Sequence, residues 1–364
     1  MKISDITDFL ETWAPRSYQE SYDNAGLIVG NAKEELTNAM LCLDSTEAVV
    51  DDAIRNNCNL IIAHHPIVFS GLKKISGKNY IEKVIIKAIK HDIAIYAIHT
   101  NLDNVANGVN KKICDKLGLK NCRILSPKSK SLKKIYTYVP VAHVDMIKEA
   151  LFDAGAGHIG NYSETSFSSA GKGSFKGNDL TKPFVGEKGK RHLEEEEKVE
   201  IIFPAHIQDK VLAALLSVHP YEEVAYEIID LDNDSQQVGS GMIGELDKPL
   251  YELAFLKQVK DKLNTKCVRY TQPIDKQVHK VAVCGGAGSF LLPEAIAQGA
   301  EVFVTADFKY HQFFDANNRI VIADIGHYES EQFTPELISE KLKEKFVNFA
   351  PLFTTVNTNP INYL

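Results

Sequence analysis

Three short segments of the chain combine histidines and carboxylates at spacings that suit metal binding. In the first, His64 and His65 follow the apolar segment NLIIA and precede Pro66. Neighbouring residues on an ideal strand point to opposite faces, but at a strand end both rings can turn toward one site, and the proline favours an extended backbone at His65. In the second, HTNLD, His99 stands four residues before Asp103. Taken alone, the first pair also fits a plain turn, and the aspartate also fits a helix N-cap.

The third segment is GHYESE, in which His327 and Glu331 are four residues apart. On a helix that begins here, the two side chains lie on one face, one turn apart. An exposed acidic helix start, where the glutamate only favours the helix dipole, explains this segment equally well when it is considered alone.

Together the three segments predict a site for two metal ions. Three imidazoles and two carboxylates exceed the needs of one catalytic zinc with an open position, and they suit two divalent ions about 3.5 Å apart. Mixed nitrogen and oxygen ligands fit zinc, iron or manganese. A water shared by two such ions is acidified enough to act as the nucleophile of a hydrolysis. The predicted ligands are His64, His65, Asp103, His327 and Glu331.

Other polar residues are candidates for supporting roles around this site. We expect His99 or Glu331 to move a proton during catalysis. Ligand histidines need a partner for the second ring nitrogen, and the candidates for that role are His99, Asp44, Asp307 and His311. For each of these four residues, a capped turn or a satisfied buried polar group is an equal alternative. The segment YDNAGLIVG, with Asp23, either lines the cleft or only shapes the lobe.

The elements that must position these residues form a repeated pattern. NAMLCLDS, CNLIIAHHP and IAIYAIHTNLD are apolar strands separated by helical stretches, and HKVAVCGG, AEVFVTADFKYH and RIVIADIGHYESE repeat that order in the last third of the chain. Near-continuous apolar strands that alternate with helices indicate mostly parallel sheets covered on both faces. Functional residues of such sheets gather at the carboxyl ends of strands, where the histidines and carboxylates fall here.

The middle of the chain has a different order of elements: strand, helix, strands, strand, helix, strand. This order fits a ferredoxin-like α+β module inserted between two lobes of one split α/β domain. We expect the charged run Lys188–Lys198 to be a solvated loop. The predicted divisions are an N-terminal α/β lobe at 1–126, the inserted domain at 127–235 and a C-terminal α/β lobe at 236–364.

Composition excludes some partners and compartments. The formal net charge of −7 gives no general attraction to nucleic acid or to an anionic membrane. No stretch approaches the roughly 20 apolar residues of a membrane span. The opening residues carry acids where a signal peptide needs bases, so we expect a cytoplasmic protein. The six cysteines lack CxxC spacing and are interpreted as small core residues.

The motifs YDNAGLIVG, IIAHHP, HTNLD, VTADFKYH and GHYESE, in this order, resemble the Ngg-interacting-factor-three-like family. Bacterial members of that family are known as GTP cyclohydrolase 1 type 2 homologs. The resemblance implies a dinuclear metal centre at the five residues named above, a three-layer αβα fold for each lobe and a toroidal homohexamer whose metal sites face an internal cavity. It also implies that the middle domain is similar to PII and CutA proteins. Glu164 stands where relatives carry a small residue or cysteine after NYS, so no metal or redox role is expected there.

Two classes of function follow from these observations. The first is a metal-dependent hydrolase that acts on a small molecule or nucleotide; the resemblance implies GTP, opened at its imidazole ring with release of formate. The alternative is a non-enzymatic metal-binding or regulatory hexameric scaffold. The segment GGAGS (285–289) either binds phosphate through backbone amides or is only a tight strand-to-helix turn.

Overall fold

Eleven α-helices and fifteen β-strands make up the computed structural model, which describes residues 1–364. The helices are α1 (Ile3–Trp13), α2 (Glu47–Arg55), α3 (Tyr80–Lys90), α4 (Thr100–Asp103), α5 (Val109–Leu117), α6 (Val144–Asp153), α7 (Gln208–Val218), α8 (Glu252–Lys262), α9 (Leu292–Ala297), α10 (His327–Glu331) and α11 (Thr334–Lys345). The strands are β1 (Gly26–Val29), β2 (Ala39–Cys42), β3 (Leu60–Ala63), β4 (Ala94–Ala97), β5 (Lys120–Pro127), β6 (Leu132–Pro140), β7 (Phe167–Phe175), β8 (His192–Pro204), β9 (Tyr226–Leu231), β10 (Gly239–Tyr251), β11 (Arg269–Tyr270), β12 (Gln277–Ala287), β13 (Val302–Ala306), β14 (Val321–Asp324) and β15 (Leu352–Phe353). None of the helices combines the length and apolar character needed to span a membrane.

The chain divides into two compact units. The first consists of Met1–Pro127 together with Gln236–Leu364, and the second of Lys128–Ser235. The first unit contains a five-stranded sheet with the order β1-β4-β3-β2-β15 and a six-stranded sheet with the order β11-β14-β13-β12-β10-β5. The second unit contains one four-stranded sheet.

In the five-stranded sheet, β2, β3 and β4 run parallel to one another, and every residue of these three strands is buried. Alternate residues serve two different cores: Leu41 and Ile62 face one hydrophobic cluster, whereas Met40 and Ile61 face another. A strand that buries both faces has no reason to alternate apolar and polar residues. This is why the sequence of each strand is continuously apolar.

The six-stranded sheet has the same parallel centre, made of β12, β13 and β14. Its edges depart from the expectation of a mostly parallel sheet, because β10 lies antiparallel to β12 and to β5, and β11 lies antiparallel to β14. Val281 and Val302 join the same cluster as Leu41 and Ile62, so both sheets contribute to one central core of the first unit.

The second unit has the sheet order β7-β8-β6-β9, and all neighbouring strands are antiparallel. Helices α6 and α7 pack together, and their apolar residues share one cluster with residues of β6 and β8. This cluster is formed wholly by residues of the second unit.

The expected loop at Lys188–Lys198 is wrong, because β8 begins at His192 and pairs with β7. The four consecutive glutamates are therefore strand residues. Charged side chains suit this strand because successive positions point to opposite faces and find different partners. Glu195 forms an ion pair with Lys172 on β7, while Glu196 is buried.

Candidate metal centre

His64 and His65 directly follow β3, and their backbone amides continue its hydrogen bonding to the neighbouring strand. His64 N donates to Cys42 O at 3.2 Å, and His65 N donates to Leu43 O at 2.9 Å. The two ring centroids lie 5.0 Å apart. Both imidazoles are therefore fixed beside each other at the carboxyl end of a buried parallel strand.

The His64 ring is completely buried, and one of its nitrogens has no hydrogen-bond partner. Nδ1 lies 2.8 Å from Ile98 O, so it carries the proton and leaves Nε2 with a free lone pair. Nε2 is 3.6 Å from Asp103 Oδ1 and 3.8 Å from Glu331 Oε1. Asp103 Oδ1 is likewise buried and unpaired. Burial of two unpaired polar atoms is costly unless another group binds them.

A metal ion fits the spacing of these atoms. With bonds of about 2.1 Å, two ligands of one tetrahedral ion lie about 3.4 Å apart. The separations of 3.6 and 3.8 Å at His64 Nε2 are close to that value. Ligand atoms of His64, His65 and Glu331 all lie within 4.8 Å of one another. These three residues form a cluster that can hold a metal ion.

Glu331 lies between the histidines. Its Oε2 is 2.9 Å from His65 Nε2 and 3.1 Å from His327 Nε2, and its side chain is 3% exposed. Helix α10 is short, but its one turn brings His327 and Glu331 onto one face. Burial alone would raise the pKa of Glu331, but His327, His64 and His65 lower it well below its usual range. Burial and the neighbouring Glu331 raise the pKa of Asp103.

Two aspartates hold the outer nitrogens of two rings. His65 Nδ1 lies 2.7 Å from Asp44 Oδ1, and His327 Nδ1 lies 2.7 Å from Asp307 Oδ2. Burial would lower the pKa of His65, but Asp44 and Glu331 raise it to about 9. Burial would likewise lower the pKa of His327, but Glu331 and Asp307 raise it to about 11. These bonds direct each Nε2 toward the cluster, as outer partners do for ligand histidines.

His99 lines the same cavity, and its partner is Asp23. His99 Nδ1 lies 2.8 Å from Asp23 Oδ1, while the other oxygen of Asp23 accepts from the backbone and hydroxyl of Thr100. Burial would raise the pKa of Asp23, but these contacts, above all with His99, lower it to about 2. No local sequence pattern marks this pair, because its residues lie 76 positions apart in the chain. Only the location of Asp23 in a polar turn before a strand pointed to the cleft.

Two sequence-based candidates lie outside this arrangement. His311 is exposed and packs against the rings of Tyr310 and Phe314, so it is not an outer partner of the cluster. The amides of Gly285 and Gly286 donate to Asn110 Oδ1 and Ser330 Oγ, so these amides are not free to bind phosphate.

The glycine at 286 has a different role. Its backbone has a φ of +62°, and a Cβ there would lie 2.5 Å from Glu331 Oε1. The segment can therefore lie against Glu331 only because it carries no side chain.

A cavity of about 390 Å³ opens beside the cluster. Asp103, His65, His327 and Glu331 line it together with His99. Tyr22 and Phe69, whose ring centroids are 6.0 Å apart, supply aromatic surface to the cavity, and Phe290 supplies more. This volume is typical of small-molecule sites.

The fold and the cluster define an α/β protein whose grouped histidines and carboxylate can hold a metal ion. A family model described as Duf34/NIF3 (NGG1p interacting factor 3) matches residues 1–360. The chain belongs to this family, as its motifs indicated. It is 39% identical to the GTP cyclohydrolase 1 type 2 homolog of Halalkalibacterium halodurans, with 100% of both chains covered.

The same name is given to a Bacillus subtilis protein that is 39% identical, with 99% of this chain and 98% of the relative covered. The crystal structure of a Bacillus cereus protein related to NIF3 superposes with a TM-score of 0.86 at 38% identity, covering 100% of this chain and 99% of that one. The mixed α/β architecture with several sheets therefore matches a solved structure of the family.

Proposed function

We propose that the chain is a dinuclear metal-dependent hydrolase. The observation that carries this proposal is the pair of buried, unpaired atoms His64 Nε2 and Asp103 Oδ1, 3.6 Å apart on the edge of a substrate-sized cavity. The proposed ligands are His64, His65, Asp103, His327 and Glu331. Zinc, iron and manganese all suit such donors.

The two oxygens of Glu331 support a site for two ions rather than one. Oε1 faces His64, while Oε2 faces His65 and His327. Glu331 would therefore help to hold both ions, together with the histidines that face its two oxygens. A pair of divalent ions, when bound, supplies an activated water for attack and positive charge beside the oxygen that becomes negative.

The chain's own residues then bind, orient and transfer protons. Asp44 and Asp307 keep the outer nitrogens of His65 and His327 engaged, so that each Nε2 faces inward. Asp23 holds His99 Nδ1 in the same way, which leaves His99 Nε2 to take up or release a proton in the cavity. Glu331 is the second proposed proton carrier.

The relatives' name directs the choice of first substrate. Proteins similar to this one over their whole length are named GTP cyclohydrolase 1 type 2 homologs. We propose hydrolytic opening of the GTP imidazole ring with release of formate. The exposed rings of Tyr22, Phe69 and Phe290 support this choice, since aromatic side chains stack on nucleobases.

The test combines metal analysis with a substrate screen. Protein purified without chelators is expected to contain close to two equivalents of metal per chain. Wild type, Asp103→Ala and the exposed control Asp115→Ala are compared on GTP, cyclic nucleotides and phosphodiesters, with formate measured for GTP. We expect activity in wild type and control only. Hydrolysis that survives the loss of Asp103 would contradict the mechanism, and bound metal without turnover would favour the non-enzymatic scaffold.

We also propose the assembly and the domain relationships that the family resemblance implies. These are a toroidal homohexamer, two related three-layer αβα lobes, and an inserted PII/CutA-like domain at 127–235. The strand order β7-β8-β6-β9, with two helices, supports a ferredoxin-like fold for that insert. Light scattering of the purified chain tests the hexamer; a monomer at micromolar concentration would contradict it.

A further inference from the structure

The second unit has a cavity of its own. Its volume is about 670 Å³, and its lining comes wholly from residues between Tyr138 and Ala225. One wall is β7, which presents Gly171 and Gly173 to the cavity, and Tyr221 and Phe184 supply aromatic surface. This volume lies well within the range of ligand-binding sites.

A buried carboxylate lies in this cavity with little compensation. Glu196 is 7% exposed, and Tyr221 is the one side chain that hydrogen-bonds to it, with the phenol hydroxyl donating to Oε1 at 2.7 Å. No lysine, arginine or histidine of the chain forms an ion pair with Glu196, and Oε2 receives no donor. An acceptor oxygen that the chain leaves without a donor can accept a hydrogen bond from a cationic ligand in the cavity.

The three lysines that line the cavity, Lys172, Lys176 and Lys198, form no ion pair with Glu196. Lys198 Nζ lies 3.1 Å from Glu200 and 4.1 Å from the centre of the Tyr136 ring. His219 is neutral, since its Nε2 donates to Tyr138 O at 3.1 Å and its Nδ1 accepts from the backbone of Tyr221.

The backbone keeps the space above the carboxylate open. Glu196 pairs with Gly171 on one side and Pro140 on the other, and neither neighbour offers a side-chain donor. A Cβ at Gly173 would lie 2.0 Å from Glu196 Oε2. Because glycine stands there, the carboxylate can extend beneath β7 and reach the cavity.

We propose that this cavity binds a small organic cation: an amine, amidine or guanidine on an apolar or aromatic body. The N–H groups of such a molecule donate to Glu196, where amidines and guanidines can form two parallel bonds. Aromatic faces attract the same charge, and Phe175 and Tyr221 are adjacent with ring centroids 5.9 Å apart. The site shares no residue with the metal cluster, and no hydrolysis is required of it.

Calorimetric titration of the full chain with benzamidine tests this proposal. We expect a dissociation constant of about 1 mM or lower for wild type. Benzamide has the same shape without the charge, and we expect it to bind at least about tenfold more weakly, as expected for a charged hydrogen bond. Equal affinities for the two compounds, or no benzamidine binding, would overturn the proposal.

Variants locate the binding on Glu196. Glu196→Gln is expected to weaken benzamidine binding at least about tenfold. Glu195→Gln, an exposed neighbour on the opposite face of β8, is the matched control and should bind like wild type. Asp103→Ala should also bind normally, which separates this proposal from the hydrolase. Unchanged binding by Glu196→Gln would place the probe elsewhere.

Discussion

Two buried glutamates, one in each compact unit, have opposite surroundings. Glu331 is 3% exposed and faces the nitrogens of His64, His65 and His327. Glu196 is 7% exposed and receives one hydrogen bond from a neutral hydroxyl. The difference between the two carboxylates lies in what the chain places around them.

The groups around each glutamate indicate which kind of cation it would bind. Around Glu331, the Nε2 atoms of three imidazoles converge with a second carboxylate, and this ligand set suits an inorganic cation. Around Glu196, aromatic walls and an empty acceptor oxygen suit a cation that brings its own N–H donors. The following predictions test this contrast, beginning with the largest effect.

Replacing Glu331 by glutamine should abolish metal binding and hydrolysis. The amide keeps the shape but removes the charge that three imidazoles share, so we expect less than one metal per chain and a loss of about 10³-fold or more in kcat/KM. Metal analysis and the rate assay measure both quantities. Glu340→Gln, on the exposed face of α11, is the control. If Glu331→Gln retained its full metal content, Glu331 would not be a metal ligand and the contrast with Glu196 would be wrong.

Replacing Asp44 or Asp307 should also weaken metal binding, but less than replacing Glu331 does. Asp44→Asn and Asp307→Asn leave every proposed ligand in place but weaken the support of His65 or His327. We expect a loss of about 10- to 100-fold in metal affinity, measured by competition with a chelator. Tyr221→Phe removes the hydrogen-bond partner of Glu196 in the second unit, and it should leave the metal affinity as it is in wild type. Equal losses in all three variants would indicate a general effect on folding.

Replacing Glu196 by glutamine should stabilise the second unit slightly. The amide still accepts from Tyr221 but places no unpaired charge at the cavity wall, so we expect the free energy of unfolding to rise by at most about 1 kcal/mol in the absence of any added cation. Hydrogen exchange of β6 and β8 amides measures this locally. Glu195→Gln should leave exchange unchanged. Faster exchange in Glu196→Gln would show that the carboxylate is already satisfied.

Asp52 is a third buried carboxylate. Its negative charge is stabilised by neutral hydrogen-bond donors and by one arginine. Burial would raise its pKa, but donors from Thr355, Thr354 and Arg55 lower it. A lowered pKa in the folded state contributes stability above the unfolded value of 3.8, which is lost as the pH falls through the folded pKa.

Asp52→Asn should therefore destabilise the chain by on the order of 1 kcal/mol at pH 7. The difference from wild type should shrink below about pH 4 and vanish once the wild-type carboxyl is protonated. Denaturant unfolding at several pH values measures it. If the difference in unfolding free energy did not change with pH, the hydrogen bonds to Asp52 would not depend on its negative charge.

The sequence predicted the parallel centres of both sheets well, because a strand buried on both faces has a continuous apolar run. The prediction of a loop was wrong at β8, because successive glutamates of this strand point to opposite faces and contact different groups of the protein. The sequence could not find β15 or the Asp23–His99 pair, because their partners lie far away in the chain and no local pattern marks them. At the candidate site, spacing indicated which residues can share a face, but only the folded structure shows which atoms remain unpaired.

Strand β15 has a consequence for biosynthesis. Leu352 pairs in parallel with Met40 at the edge of the first sheet, and Thr358 Oγ1 donates to Asp44 Oδ2 at 2.7 Å. More than 300 residues separate these partners. At about 5–20 residues per second, a ribosome needs roughly 15–60 s to make that stretch. Throughout this interval the five-stranded sheet of the nascent chain keeps an open edge at β2, so the contact that holds Asp44, the partner of His65, forms only after Thr358 has been made.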